Sequence, residues 1–121
     1  MARIMIVEDD PLISDDLKNC LTKAGHSITS IETKGESAFF KAQQNNPDVV
    51  LMDIRLAGVI DGIESATVIK KRYNIPIIFL TAFSNEKYLT RSQNVEAIDY
   101  IVKPYDENYL LKKIDLALGK K

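Results

Sequence analysis

Carboxylates, one hydroxyl and one ammonium recur at one kind of place in this sequence, just past a short apolar run. Glu8, Asp9 and Asp10 follow Arg3–Val7, and Asp53 follows Asp48–Met52. Thr81 follows Ile75–Leu80, and Lys103 follows Ile98–Val102. Brought together, Glu8, Asp9 and Asp53 would repel one another, so the cluster asks for a cation. Its donors are hard oxygens with no His or Cys among them, which favours Mg2+ over zinc or copper. Mg2+ takes one or two carboxylates and leaves its other positions to water or a phosphate. Lys103 offers a point charge for a phosphoryl oxygen. Thr81 offers a hydroxyl donor for another. Asp53 could then act as a carboxylate nucleophile and form an aspartyl phosphate. Phosphoryl transfer asks a protein mainly for alignment and charge neutralisation, and these groups offer both.

Such a site needs elements that bring distant residues to one edge. The apolar runs at Arg3–Val7, Ser27–Ile31, Asp48–Met52, Ile75–Leu80 and Ile98–Val102 suit strands buried in a parallel sheet. Helical patterns lie between them. Ile13, Leu17, Cys20, Leu21 and Ala24 form one face after Asp10–Pro11, with Asp10 as the cap and Gly25 at the end. Further helices are predicted over Gly35–Asn45, Asp61–Arg72, Asn85–Gln93 and Asp106–Leu118. The segment Asn85–Gln93 is the most polar, as an element of low local stability would be. Strand–helix alternation implies right-handed crossovers and helices on both faces of one sheet. In such sheets ligands bind beyond the carboxyl ends of the strands, where Glu8, Asp9, Asp53, Thr81 and Lys103 fall.

The 121 residues suit one domain spanning 1–121, with no repeat or linker. Hydrophobic residues make up 45% and charged residues 27%, enough for a core without disulfide or structural metal. The single cysteine, Cys20, cannot form an internal disulfide and is compatible with a reducing cytoplasm. Sixteen basic and 17 acidic residues leave a net charge of −1, so no nucleic-acid surface is expected; Lys120–Lys121 is not a patch. The apolar runs are too short to span a bilayer, and the N-terminus lacks the pattern of a signal peptide.

Val7-Glu8-Asp9-Asp10-Pro11, Leu51-Met52-Asp53-Ile54, Asp61-Gly62-Ile63, Ile78-Phe79-Leu80-Thr81-Ala82 and Tyr100-Ile101-Val102-Lys103-Pro104 together resemble the response-regulator receiver family. The resemblance covers nearly the whole chain. It implies a flavodoxin-like α/β fold with strand order 2-1-3-4-5. It implies that Asp53 is the phosphoacceptor and that Asp9 and Asp53 hold Mg2+ directly, with Glu8 acting through water. The backbone carbonyl of Arg55 would be the third protein ligand. Lys103 would neutralise the phosphoryl group, before a cis bond to Pro104. Thr81 and Tyr100 would form a switch pair, the hydroxyl moving and the ring turning inward. The implied donor is a sensor histidine kinase or phosphotransfer protein. The implied target is a downstream protein or a fused output domain, and the resemblance also admits a homodimer.

Some positions depart from the family pattern. Ala57 stands where proline is frequent, and the stretch from Asp53 to Asp61 is one residue longer than usual. Arg55 and Phe83 occupy positions that tune phosphoryl lifetime, and Phe83 is expected to shield the acyl phosphate from water. Glu96-Ala97 replaces the usual Gly-Ala before the fifth strand.

Plainer readings stand beside these. The acids at 8–10 would also suit a helix N-terminus. Cys20 reads as a small core residue. His26 has no helical dimerisation segment around it, as a phosphoryl carrier would. Tyr105 and Tyr109, beside Lys112 and Lys113, read as helix packing rather than a docking face. Other functions remain. A metal-dependent phosphohydrolase would want an acid two residues past Asp53, where Arg55 stands. A flavin or nucleotide binder would want a Gly-rich phosphate cradle. A degenerate scaffold would lack some of the matched groups. A phosphate-accepting switch rather than an enzyme fits best.

Overall fold

The computed structural model describes residues 1–56, 58–82 and 86–119. Ala57, Phe83 and Asn85 lie outside them, as do the Lys120–Lys121 end and, with Phe83, the expected shield of the acyl phosphate. Strands and helices alternate as β1 (Arg3–Val7), α1 (Pro11–Lys23), β2 (Ser27–Glu32), α2 (Gly35–Asn45) and β3 (Val49–Met52). They continue as α3 (Gly62–Tyr73), β4 (Ile77–Thr81), α4 (Glu86–Gln93), β5 (Asp99–Val102) and α5 (Glu107–Ala117). The strands form one parallel sheet in the order 2-1-3-4-5. Register places Val7 opposite Met52, and Thr81 opposite Val102, so the strand ends line one edge.

Alternate side chains of each strand feed two separate cores. Met5, Val7, Val50, Met52, Ile77 and Phe79 pack under α2, α3 and α4 with Ala38, Ala42, Ala66 and Ile69. Ile4, Ile6, Leu51, Ile78 and Leu80 pack under α1 and α5 with Leu17, Leu21, Leu110 and Ile114. The inner strands β1, β3 and β4 are buried on both faces, as their unbroken apolar runs require. The outer strands differ from the expectation of full burial: β2 has no buried residue, and β5 buries only Ile101.

Helix ends follow sequence chemistry. Asp10 accepts the Leu12 N–H ahead of Pro11, and Asp61 and Glu64 form a reciprocal capping box on α3. Asn46 and Asn74 close α2 and α3 in the left-handed conformation that asparagine tolerates. Bounds move by a residue or two: β4 starts at Ile77 and takes in Thr81, which the sequence had put just past the strand. α4 is the least anchored helix, with Ser92 its one described buried residue. At the opposite edge of the sheet, buried His26 accepts the Ala2 N–H through Nδ1 at 2.9 Å.

Candidate functional site

Three strand ends deliver the charged groups of the site. Just past β1 stands Glu8, which is buried, and exposed Asp9 comes next. Asp53 stands just past β3, with its N–H bonded to the Val7 carbonyl at 2.9 Å. Lys103 follows β5, its N–H bonded to the Thr81 carbonyl at 2.8 Å, and its bond to Pro104 is cis. Carboxylate oxygens of Glu8, Asp9 and Asp53 all lie within 4.8 Å of one another. The Lys103 ammonium contacts Glu8 Oε1 and lies 3.5 Å from Asp53 Oδ2. The other Asp53 oxygen, Oδ1, accepts the Ile54 N–H at 2.7 Å. These groups line an open hollow of about 530 Å3 with Asp10, Ile13, Arg55, Leu56 and Ala82.

Electrostatics explain why the cluster calls for a cation. Burial pushes the Glu8 carboxyl up to about 7; the Asp53 charge adds to this, while Lys103 and the Asp10 N–H oppose it. One ammonium among three gathered acids leaves an excess of negative charge. Oxygen donors without nitrogen or sulfur suit Mg2+. The donor set therefore fits the ion that the sequence implied.

The backbone around Asp53 is set by Gly62. The Gly62 N–H donates to the Ile54 carbonyl at 2.6 Å and closes the connection from β3 to α3. A Cβ on Gly62 would lie 1.8 Å from the Asp53 carbonyl oxygen, so only glycine fits.

The remaining expected members are Arg55, Thr81 and Tyr100. Arg55 is exposed at the rim of the hollow. Thr81 is fully buried at the end of β4. Tyr100 is half-buried, with its ring 6.0 Å from that of Phe79 at an angle of 48°. Tyr105 donates to Asp16 at 2.6 Å, and Tyr109 bonds Asp99 beneath Lys113. Cys20 is half-buried rather than core, and burial raises its thiol pKa.

Sequence reasoning missed the tie between α3 and α4, and it marked the Glu96 turn as a departure without its conformation. Asp61, besides capping α3, pairs with Arg91 of α4 at 2.8 Å. Glu96 takes φ +58, the conformation a glycine would supply, so the Glu-Ala departure keeps a glycine-like turn. A family pattern of Gly at that position was the available signal.

Comparison with known proteins agrees with this architecture. The family model for the response regulator receiver domain matches residues 4–115. The protein PilH of Pseudomonas aeruginosa is 37% identical over 122 residues, covering 98% of this chain and 99% of PilH. The transcriptional regulatory protein PdtaR of Mycobacterium tuberculosis is 35% identical over 118 residues, and the chain spans 57% of its length. The signal receiver domain of a modulated diguanylate cyclase from Desulfovibrio desulfuricans superposes with a TM-score of 0.94 at 31% identity. That match covers 98% of this chain and 94% of the other. The BeF3-activated receiver domain of Klebsiella pneumoniae RstA gives 0.88 at 30% identity, covering 98% and 99%. With the fold, the acidic edge and these relatives in agreement, the chain belongs to the response regulator receiver family of two-component phosphorelay signalling.

Proposed function

We propose that residues 1–121 form one receiver domain that accepts a phosphoryl group on Asp53 from a phosphohistidine and switches its surface in response. The observation that carries this reading is the hollow itself. Asp53 there has one oxygen held by the Ile54 N–H and the other 3.5 Å from Lys103, beside Glu8 and Asp9. In the transfer, an Asp53 oxygen forms a bond to phosphorus as the phosphorus–nitrogen bond breaks and the imidazole leaves. Lys103 neutralises charge on the phosphoryl oxygens, and the fixed Asp53 backbone keeps the nucleophile aligned. Asp9 and Asp53 would hold Mg2+ directly, with the Arg55 carbonyl, and Glu8 through water. The ion, when bound, offsets the charge that builds between carboxylates and phosphate.

Thr81 and Tyr100 form the switch pair in this reading. A phosphoryl group draws the Thr81 hydroxyl, and Tyr100 turns into the space beside Phe79. α4 then shifts readily, since it buries so little. The partners are a histidine kinase or phosphotransfer protein and a downstream protein or output domain, in the cytoplasm. That scheme also admits a homodimer, while nucleic acid and membrane are not direct partners. Among the described residues no helix is long and apolar enough to cross a membrane. We read the chain as a switch rather than a turnover enzyme, because Arg55 occupies the position where a phosphohydrolase would want an acid.

The test is incubation with Mg2+ and acetyl phosphate, with and without Asp53→Asn. A switch retains one phosphoryl group for seconds to hours, and the Asn variant retains none. Sustained turnover by wild type would make it a hydrolase, and equal labelling of the variant would remove Asp53 from its role.

A further inference from the structure

The connection from β3 to α3 leaves the site at Asp53, carries Arg55 and returns at Asp61. Its base is closed by the Gly62-to-Ile54 hydrogen bond. Its far side is held by α2. Glu36, in the first turn of that helix, accepts the Ile60 N–H through Oε1 at 3.4 Å. Its own amide, and those of Ile60 and Val59, hold the Glu36 carboxyl below its ordinary range, with Lys34 helping. Gly58 runs at φ +106, and a Cβ there would lie 2.7 Å from Glu36 Oε2. One residue earlier on the helix, a Cβ on Gly35 would come within 2.8 Å of the Ile60 side chain. The Gly35 carbonyl accepts the Ser65 hydroxyl at 2.8 Å, which ties α3 to the same point. Backbone amides gathered on one carboxylate make an anion nest with a built-in anion.

We propose that Glu36 is a positioning residue for the divalent-cation site. Its carboxylate pins residues 58–60 against α2 and thereby fixes the connection that carries Arg55. The proposal rests on the reading of Glu8, Asp9 and Asp53 as a Mg2+ site. A connection ordered beforehand spares the ion the conformational entropy of ordering it on binding. The longer stretch between Asp53 and Asp61 makes such an anchor more valuable, since each added residue adds freedom to lose. A helix-end acid acting only on the α2 dipole would have no bond to residues 58–60.

The experiment uses the whole chain as wild type, Glu36→Gln and Glu36→Ala, with Gln43→Ala on the exposed side of α2 as control. Mg2+ affinity is measured by calorimetry, and amide hydrogen exchange of Val59 and Ile60 is followed without metal. Phosphoryl uptake from acetyl phosphate is measured across Mg2+ concentrations. Glu36→Ala is expected to weaken Mg2+ binding by about five-fold or more, with Glu36→Gln in between. Val59 and Ile60 are expected to exchange about ten-fold faster in the Ala variant. Saturating Mg2+ should restore its uptake rate, and Gln43→Ala should match wild type throughout.

If both variants fold, melt lower and bind Mg2+ as wild type does, Glu36 is merely structural and the proposal is overturned. Should Glu36→Ala fail to fold, the isosteric Gln variant decides on the same readouts. A wild type that binds Mg2+ yet takes up no phosphoryl group defeats the functional reading alone, and the affinity ratio still judges Glu36. A wild type that does not bind Mg2+ overturns both.

Discussion

Glu8 and Glu36 are carboxylates pushed in opposite directions, and each leaves its mark on stability against pH. Burial raises Glu8 from 4.5 to about 7 in the metal-free fold. The folded state then binds the proton more tightly than the unfolded chain. The stability this supplies is complete below pH 4.5 and is lost as pH rises toward 7. Urea unfolding of metal-free protein across that window should show the decline, and Glu8→Gln should flatten it. Mg2+ should offset it too, by favouring the ionised form. A wild-type midpoint that climbs steadily through the window would contradict the assignment. Glu36 is depressed by the amides around it, so its contribution is present above 4.5 and fades as pH falls through its lowered pKa. Glu96 supplies a different lesson. It holds φ +58 without being glycine, so Glu96→Gly should raise stability by about 0.5 kcal/mol, the relieved strain exceeding the added chain entropy. Thermal melting would show it, and a lower melting temperature would mean the side chain contributes more than its backbone costs.

Connections, more than helices or strands, decide how well the site is aimed. Gly62→Ala would drive a methyl into the Asp53 carbonyl, and the backbone must move. The expected loss is at least about 3 kcal/mol in denaturant unfolding, with phosphoryl uptake falling alongside. Arg91→Ala should cost under about 1 kcal/mol, because its pair with Asp61 is partly exposed. It should nevertheless speed amide exchange in α4, whose one described buried residue is Ser92. Unchanged exchange would show that the pair does not hold that helix. What the sequence made legible follows from the same distinction. Apolar runs and caps carry local periodicity, so the ten elements, their order and the gathering of residues 8, 9, 53 and 103 could be read directly. Glu36 meeting residues 58–60, or Arg91 meeting Asp61, depends on how helices cross and on the path of a connection. Neither leaves a periodic trace. Gly62 was visible only as part of a resemblance, although its reason is a clash that no pattern of polarity encodes. The half-burial of Cys20 likewise turned on how α1 and α5 meet around a hollow shared with Leu111 and Glu107.

The sheet divides the interior into two apolar halves that share little but the strands. Leu17 belongs to the half under α1 and α5, and Ile69 to the half under α2 and α3. Leu17→Ala and Ile69→Ala should each cost about 2–5 kcal/mol, with combined losses that add to within about 0.5 kcal/mol. Strong non-additivity in denaturant unfolding would mean the halves repack together. The parallel order has a consequence for synthesis as well. Every strand points its carboxyl end to one edge, so the acids of that edge come off the ribosome long before Lys103 does. β5 joins the sheet only through β4, as its last and outermost member. A nascent chain that has emerged as far as β4 thus carries Glu8, Asp9 and Asp53 with no ammonium to answer them. Until translation delivers residue 103, that edge lacks the ammonium that in the finished fold reaches both Glu8 and Asp53.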